Sequence, residues 1–273
     1  MVLDEPRGRA SAVQAPSRTP ARVVWHDLEC GGYRADLALW RELAAHPDGP
    51  ILDVGAGSGR VSLDLLAAGH AVTALDLDPL LLAALSERAA TRGLEVESVC
   101  ADARTFALAR RDFALCVAPM QTIQLLGGVE GRVAFLDRAR EHLRPGARIA
   151  CAILCAVEPF DCSDGTVGPA AERAHVDGLL YLSRAIRVSE LAESIVIERE
   201  RRVLADPPSA ADGPSQAASE VAPPPERDVI ELDRISADDL ERDARRSGLR
   251  PLARHEIPAT DEHVGSVVVV LGV

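Results

Sequence analysis

Three aspartates and one glycine-rich turn are the residues of this chain whose types and spacing could do chemistry. Ile51-Leu-Asp-Val-Gly-Ala-Gly-Ser-Gly-Arg60 reads as a buried strand, a tight turn and the start of a helix. Gly55, Gly57 and Gly59 let the backbone take positive φ and approach a ligand closely. Free N–H groups and partial positive charge at the helix start suit a nucleotide or an amino-acid carboxylate. The spacing is G-x-G-x-G. Arg60 stands where the dinucleotide fingerprint has its third glycine, which disfavours hydride transfer from a nicotinamide. Asp53 closes the first strand, Asp76 closes the second and Asp102 follows the third. The carboxyl ends of parallel strands form the ligand crevice of an open α/β sheet. A carboxylate after the second strand is placed to accept hydrogen bonds from ribose hydroxyls, and Asp102 could take an adenine amino group. Each has a plainer role to compete with: Asp53 as a turn cap, Asp102 as a surface turn residue. Asp78, just before Pro79, reads as a helix N-cap.

The elements that must position these residues follow from hydrophobic period and punctuation. Helices are expected over 33–45, 60–68, 79–92, 130–143 and 236–248, the last opened by a capping signal at Ser236–Asp239. Strands are expected over 51–54, 71–75, 94–100, 113–117, 147–157, 249–257 and 264–271. Repeated β-α-β units imply a parallel sheet with helices on both faces. The rhythm changes at 158–182, which reads as irregular. Residues 194–204 and 227–235 read as polar strands joined antiparallel through 205–225, a disordered loop with six prolines. The expected division is a flexible tail at 1–22, one α/β domain at 23–157 and 236–273, and a cap insertion at 158–235.

Composition excludes whole classes of function. With 273 residues, 47% hydrophobic and 26% charged, the chain can bury a core and is not wholly disordered. Its 42 acids against 30 bases give a net charge of −12, which disfavours nucleic acid and membrane surfaces as partners. Every base is Arg; with no Lys, Schiff-base and P-loop chemistry are excluded. Aromatics at 3% are too few for a stacking platform on single strands. No signal peptide or apolar span is legible, so a cytoplasmic location is expected. Cys30, Cys100, Cys116, Cys151, Cys155 and Cys162 have no CxxC pair; they read as small buried hydrophobes, and no metal site is expected.

ILDVGAGSGR, ALDLDP, CADAR, DFALCVAPMQTIQLL and HLRPGARIACAI, in that order, resemble the motif series of class I S-adenosylmethionine-dependent methyltransferases. The resemblance spans about 33–157, and the terminal helix and hairpin at 236–272 match as well. It implies a doubly wound, seven-stranded Rossmann-like sheet whose last strand is antiparallel, here with a small antiparallel β cap insertion. It implies S-adenosylmethionine as cofactor. Asp53, Gly55, Ala56 and Gly57 would hold its methionine part. Asp76 would hold the ribose, Leu77 would flank adenine, and Asp102 with Ala103 would address the adenine edge. Ala118 would face the sulfonium region. Tyr33 lies on the N-terminal helix that lids the cofactor in similar proteins, so it is a candidate contact as well as a packing residue; Trp40 is expected in the core.

Methyl transfer is an in-line displacement that rests largely on positioning. No dedicated base stands out, so no catalytic side chain is assigned. Ala118-Pro-Met-Gln departs from the Asn/Asp-Pro-Pro-aromatic signature of enzymes that methylate nucleic-acid amino groups, and the acidic cluster of metal-dependent catechol-type enzymes is missing. A small-molecule acceptor is therefore expected. Gln121, Thr122 and Gln124 are candidates to line its pocket. Glu158, Asp161, His175 and His26 are candidate bases or orienting groups, and His142 is set aside as a residue of an exposed helix end. The competing readings are a non-catalytic cofactor-binding or scaffold protein of the same fold and a nicotinamide-dependent dehydrogenase.

Overall fold

A computed structural model of the chain describes residues 19–46, 48–205, 224–260 and 263–273. Helices α1 (Ala21–His26), α2 (Leu37–Ala45), α3 (Arg60–Ala67), α4 (Pro79–Thr91), α5 (Gly128–His142) and α6 (Ala237–Arg246) accompany the strands β1 (Ile51–Val54), β2 (Val72–Asp76), β3 (Glu97–Cys100), β4 (Phe113–Ala118) and β5 (Leu143–Ile153). After these come β6 (Phe160–Asp161), β7 (Glu172–Val176), β8 (Leu179–Glu190), β9 (Ser194–Ala205), β10 (Glu226–Asp233), β11 (Arg250–Ile257) and β12 (Ser266–Gly272). A π-helical turn, Asp27–Gly31, continues α1, and a 3-10 turn, Thr122–Leu125, follows β4.

Seven strands form one sheet in the order β11-β12-β5-β4-β1-β2-β3. β1 to β5 are mutually parallel; β12 runs antiparallel to both β5 and β11. The direction of winding reverses between β1 and β4, and the crevice outside their carboxyl ends is where such sheets bind ligands. The pleat sends alternate side chains to opposite faces. On one face Cys116, Ala118, Ile149 and Cys151 meet Phe135 and Leu136 of α5 and Leu240 of α6. On the other, Leu115, Val117, Ala150 and Ala152 meet Trp40 and Leu43 of α2 and Leu65 of α3. Burial on both faces explains why β4 is apolar throughout.

Local chemistry fixes the helix starts. Asp78 caps α4 through the Leu80 amide at 2.9 Å, with Pro79 in the first turn. Ser236 and Asp239 form a reciprocal capping box on α6. Strand β5 starts earlier than the sequence pattern indicates, because Leu143 already pairs with Phe113; the register then shifts around Pro145-Gly146, and β5 ends at Ile153.

The second sheet is antiparallel, in the order β10-β9-β8-β6, with β7 also on β8. The expected pairing of β9 with β10 is present, from Ser194↔Asp233 to Arg201↔Glu226. Residues 206–223, most of the expected disordered loop, lie outside the described residues. The reading of 158–182 as irregular is corrected. β7 and β8 form a hairpin across Asp177-Gly178, both at positive φ (53° and 75°), the conformation that a two-residue turn requires. The tail is corrected too: Ala21 and Arg22 belong to α1, while 1–18 lie outside the described residues. The N-terminal periodic segment starts as a helix only at Leu37. Cys116, Cys151 and Cys162 are buried as expected of small hydrophobes, whereas Cys100 and Cys155 are exposed. Among the described residues no helix is long and apolar enough to cross a membrane.

Candidate functional site

Asp53 is the penultimate residue of β1 and has no solvent exposure. Its Oδ2 accepts from the Ser62 hydroxyl at 2.6 Å, and its Oδ1 has no partner at all. Burial dominates and pushes its pKa up to about 6, against the pull of Ser62 and Arg60. A buried carboxylate oxygen without a donor is rare in folded proteins and calls for a ligand.

The glycine turn next to it is anchored differently from the sequence expectation. The amides of Gly55 and Ala56 both donate to the Leu75 carbonyl, at 2.8 and 3.1 Å. The Gly57 amide donates to Asp76 Oδ2 at 2.8 Å, and the Gly59 amide to the Ala56 carbonyl at 3.0 Å. Three of these N–H groups are spent holding the turn to β2, and the fourth closes the turn on itself. What the turn adds to two nearby carboxylates is close backbone approach rather than a nest of free donors. Such a site favours a cation and repels a pyrophosphate. Side chains at the glycines would collide with their surroundings: at Gly55 with Thr122, at Gly57 with His26.

The β2 and β3 ends complete one wall. Asp76 also accepts from the Asp78 amide at 2.9 Å, which fixes its rotamer. Leu77 follows it with 69% of its surface exposed. Asp102 accepts from the Arg104 amide at 2.8 Å and from its guanidinium, which holds its pKa below the usual carboxylate range. Ala103 is half-buried against the main core. Ala118 lies wholly in that core beneath α5, with no exposed surface.

The opposite wall comes from the N-terminus. His26 Nδ1 lies 3.1 Å from Ser58 Oγ, whose hydroxyl donates to Asp27 at 2.6 Å; Arg88 donates to Asp27 and to the Ser58 carbonyl. Burial holds His26 below its ordinary pKa, although Asp27, Asp76 and Glu29 pull the other way. Tyr33 is buried, edge-on to His263 at 5.0 Å and 5.2 Å beneath the Arg60 guanidinium. Arg60 also forms a buried, bidentate pair with Asp36 at 2.5 and 2.8 Å. This contact fastens α2 to the start of α3 and explains an arginine directly after the last glycine.

Beyond β4, Met120 takes a positive φ of 54°, a strained state for a side chain of its size. Gln121 and Thr122 are half-buried there, and Thr122 Oγ1 donates to the Pro119 carbonyl at 2.9 Å. Gln124 is buried. Its Nε2 donates to the Leu154 and Asp233 carbonyls and its Oε1 accepts from the Leu154 amide at 2.7 Å. It joins the two sheets instead of lining a pocket. The candidate bases scatter. Asp161 is held near a pKa of about 2, by Ser163 first and then Arg187. Glu158 is exposed, and His175 sits on β7 opposite Leu180. His142 is fully buried, not exposed as expected, bonded at both nitrogens to Leu108 and Arg138.

Residues 51–146, from β1 into the bulge of β5, match the family model described as "Methyltransferase domain". Residues 51–146 thus carry a methyltransferase domain. The residues at its turn fit S-adenosylmethionine, the cofactor that the resemblance implies: the orphaned Asp53 oxygen and Asp76 suit a cationic ligand. The uncharacterized methyltransferase YodH of Bacillus subtilis (strain 168) is 35% identical over 72 residues, 26% of this chain and 31% of YodH, so the match spans about a third of that protein. Two solved structures share the fold over nearly the whole chain. The sugar N-methyltransferase KedS8 from Streptoalloteichus sp ATCC 53650 is 16% identical, with 98% of this chain and 99% of that one covered at a TM-score of 0.64. The S-adenosylmethionine-bound amino pentose methyltransferase CalS10 from Micromonospora echinaspora is 22% identical, with 88% and 92% covered at a TM-score of 0.62. Sequence reasoning missed Asp27, Ser58 and Arg88 around the methyltransferase turn, whose contacts cross 30 residues or more; the Trp-His-Asp run before a helix was the one local hint.

Proposed function

We propose that the chain methylates an amino group of a small molecule, using S-adenosylmethionine. The observation that carries this reading is the pairing of the unpartnered Asp53 oxygen with a glycine turn whose amides are already bonded. That pairing suits the positively charged methionine end of the cofactor and is a poor seat for a dinucleotide. Asp53, Gly55, Ala56 and Gly57 would hold that end. Asp76 would hold the ribose, Leu77 the adenine face, and Asp102 with Ala103 its edge; Tyr33 would close the site. When bound, the cofactor supplies a methyl group on a sulfonium, already activated toward a nucleophile.

The chain's own task is then orientation and exclusion of water. An amine acceptor is favoured because the candidate bases are scattered: Asp161 is ion-paired, Glu158 is exposed, His175 lies on β7, and His26 is packed against Ser58 and Gly57 of the cofactor turn. A neutral amine needs no base at the transfer step, whereas a hydroxyl does. KedS8 and CalS10 are named for sugar N- and amino pentose methylation, which supports an amino sugar as the first class to test. The test is incubation with S-adenosylmethionine and panels of amino sugars, polyols and catechols, read by mass spectrometry. Methylation confined to amine acceptors is the expected result. Methylation confined to hydroxyl acceptors would overturn the amine assignment, and S-adenosylmethionine binding without turnover on any panel would favour a binding protein of the same fold.

A further inference from the structure

The segment from Trp25 to Glu29 contacts both sheets' functional regions at once. Trp25 and Glu29 are four residues apart and face the antiparallel sheet. The Trp25 ring meets Tyr181 of β8 edge-on at 4.9 Å, and the Arg201 guanidinium of β9 lies 5.5 Å from it. Glu29 is buried. It accepts from Arg201 at 2.7 and 2.6 Å and from the Ser183 hydroxyl at 2.7 Å, while the remaining Arg201 nitrogen pairs with Asp228 of β10 at 2.8 Å. His26 and Asp27, between those anchors, face the glycine turn.

The hydrogen bonds on that second side fix a tautomer. Ser58 has one hydroxyl proton and gives it to Asp27, so its oxygen accepts from His26 Nδ1–H. Nε2 is then the bare nitrogen, and it is the atom that a Cβ on Gly57 would strike. Gly57 in turn donates to Asp76. Contacts therefore run from Asp228 through Arg201 to Glu29, and from His26 and Asp27 to the turn proposed to hold the cofactor, with the backbone of residues 26–29 joining the two sets.

We infer that Glu29 and Arg201 are positioning residues: they brace His26 and Asp27 against the glycine turn, so that the antiparallel sheet and the cofactor site assemble together. The inference rests on the reading of that turn as the S-adenosylmethionine site. Because coupling between sites is reciprocal, cofactor binding must in return tighten β8 and β9. The groups facing the brace are Asp76 from β2, Arg88 from α4, Ser58 from the turn, Ser183 and Tyr181 from β8, Arg201 from β9 and Asp228 from β10.

The test is calorimetry of S-adenosylhomocysteine binding to the full chain, its Glu29→Gln and His26→Ala variants, and the double variant. Glu29→Gln keeps the shape and removes the charge. It is expected to weaken binding about tenfold, and to have no further effect once His26 is gone, because it acts through that residue. Unchanged affinity in a folded Glu29→Gln protein, or losses that simply add, overturns the inference. If Glu29→Gln does not fold, Arg201→Lys, which keeps the charge and loses the fork, is read by the same outcomes. Amide exchange gives a second readout: the ligand is expected to slow β8 and β9 in the parent chain, and no slowing there contradicts the brace. A parent chain that binds no S-adenosylhomocysteine overturns the cofactor reading instead. Exchange at residues 55–60 of the free protein then decides the brace: faster in Glu29→Gln supports it, unchanged overturns it.

Discussion

The Gly57 amide donates to the Asp76 carboxylate at 2.8 Å, so the residue proposed to hold the ribose also holds the glycine turn in shape. One side chain serves ligand and scaffold together. Asp76→Ala strips partners from two backbone amides, those of Gly57 and Asp78. Hydrogen bonds to a charged group contribute about 1.5–3 kcal/mol each. The variant is expected to lose at least tenfold in S-adenosylhomocysteine affinity and to melt earlier, measured by calorimetry and thermal denaturation of the same preparation.

Asp53 sets a trade between stability and binding. Its native pKa, pushed up to about 6 by burial, exceeds the ordinary value of 3.8. Between those values the folded state holds more protons than the unfolded state, so stability falls as pH rises through about 4 to 6. Above pH 6 the free protein carries a buried, half-partnered charge. Asp53→Asn is therefore expected to raise the melting temperature at pH 7.5, by about 1–3 kcal/mol in stability, and to weaken S-adenosylmethionine binding. A pH series of thermal melts on the two proteins checks the sign: the gain must vanish near pH 4.

His26 has the opposite sign. Burial lowers its pKa in the fold, so the unfolded chain takes up the proton first. Stability is full above 6.5 and is lost as pH falls below that value. His26→Gln is expected to flatten the acid limb of the stability profile, as read by denaturant titrations between pH 5 and 7.

Gln124 illustrates how a polar residue beside a crevice can be purely structural. Gln124→Leu leaves the Leu154 amide and two carbonyls without partners in a buried place. The expected cost is about 2–5 kcal/mol. If the residue joins the sheets, the loss appears in the melting temperature, while the KM for an acceptor stays unchanged in protein that remains folded.

The carboxylates at the strand ends were legible in the sequence because a short apolar run, a glycine turn and an aspartate are all local signals. Asp53 is the penultimate residue of β1, Asp76 the last of β2, and Asp102 lies just beyond β3. The state of the turn was not legible. Whether the Gly55 and Ala56 amides are free or bonded depends on where Leu75, some 20 residues on, lays its carbonyl. The same holds for the wall opposite: Asp27 reaches Arg88 and Glu29 reaches Arg201, and no periodicity pairs residues so far apart. Gln124 looked like a pocket residue because polar side chains after a buried strand usually meet solvent; here Leu154 and β10 cover it. The β7–β8 hairpin was within reach, since Asp177-Gly178 between two short strand-prone runs is a strong hairpin signal.

The most direct measurement is calorimetric titration of the full chain with S-adenosylmethionine, S-adenosylhomocysteine and NAD at neutral pH, repeated on Asp53→Asn and Asp76→Ala. The account predicts one saturable site for the first two ligands, markedly weaker binding in both variants, and no binding of NAD. Saturable NAD binding, or a folded parent chain that binds neither S-adenosyl ligand, would contradict it.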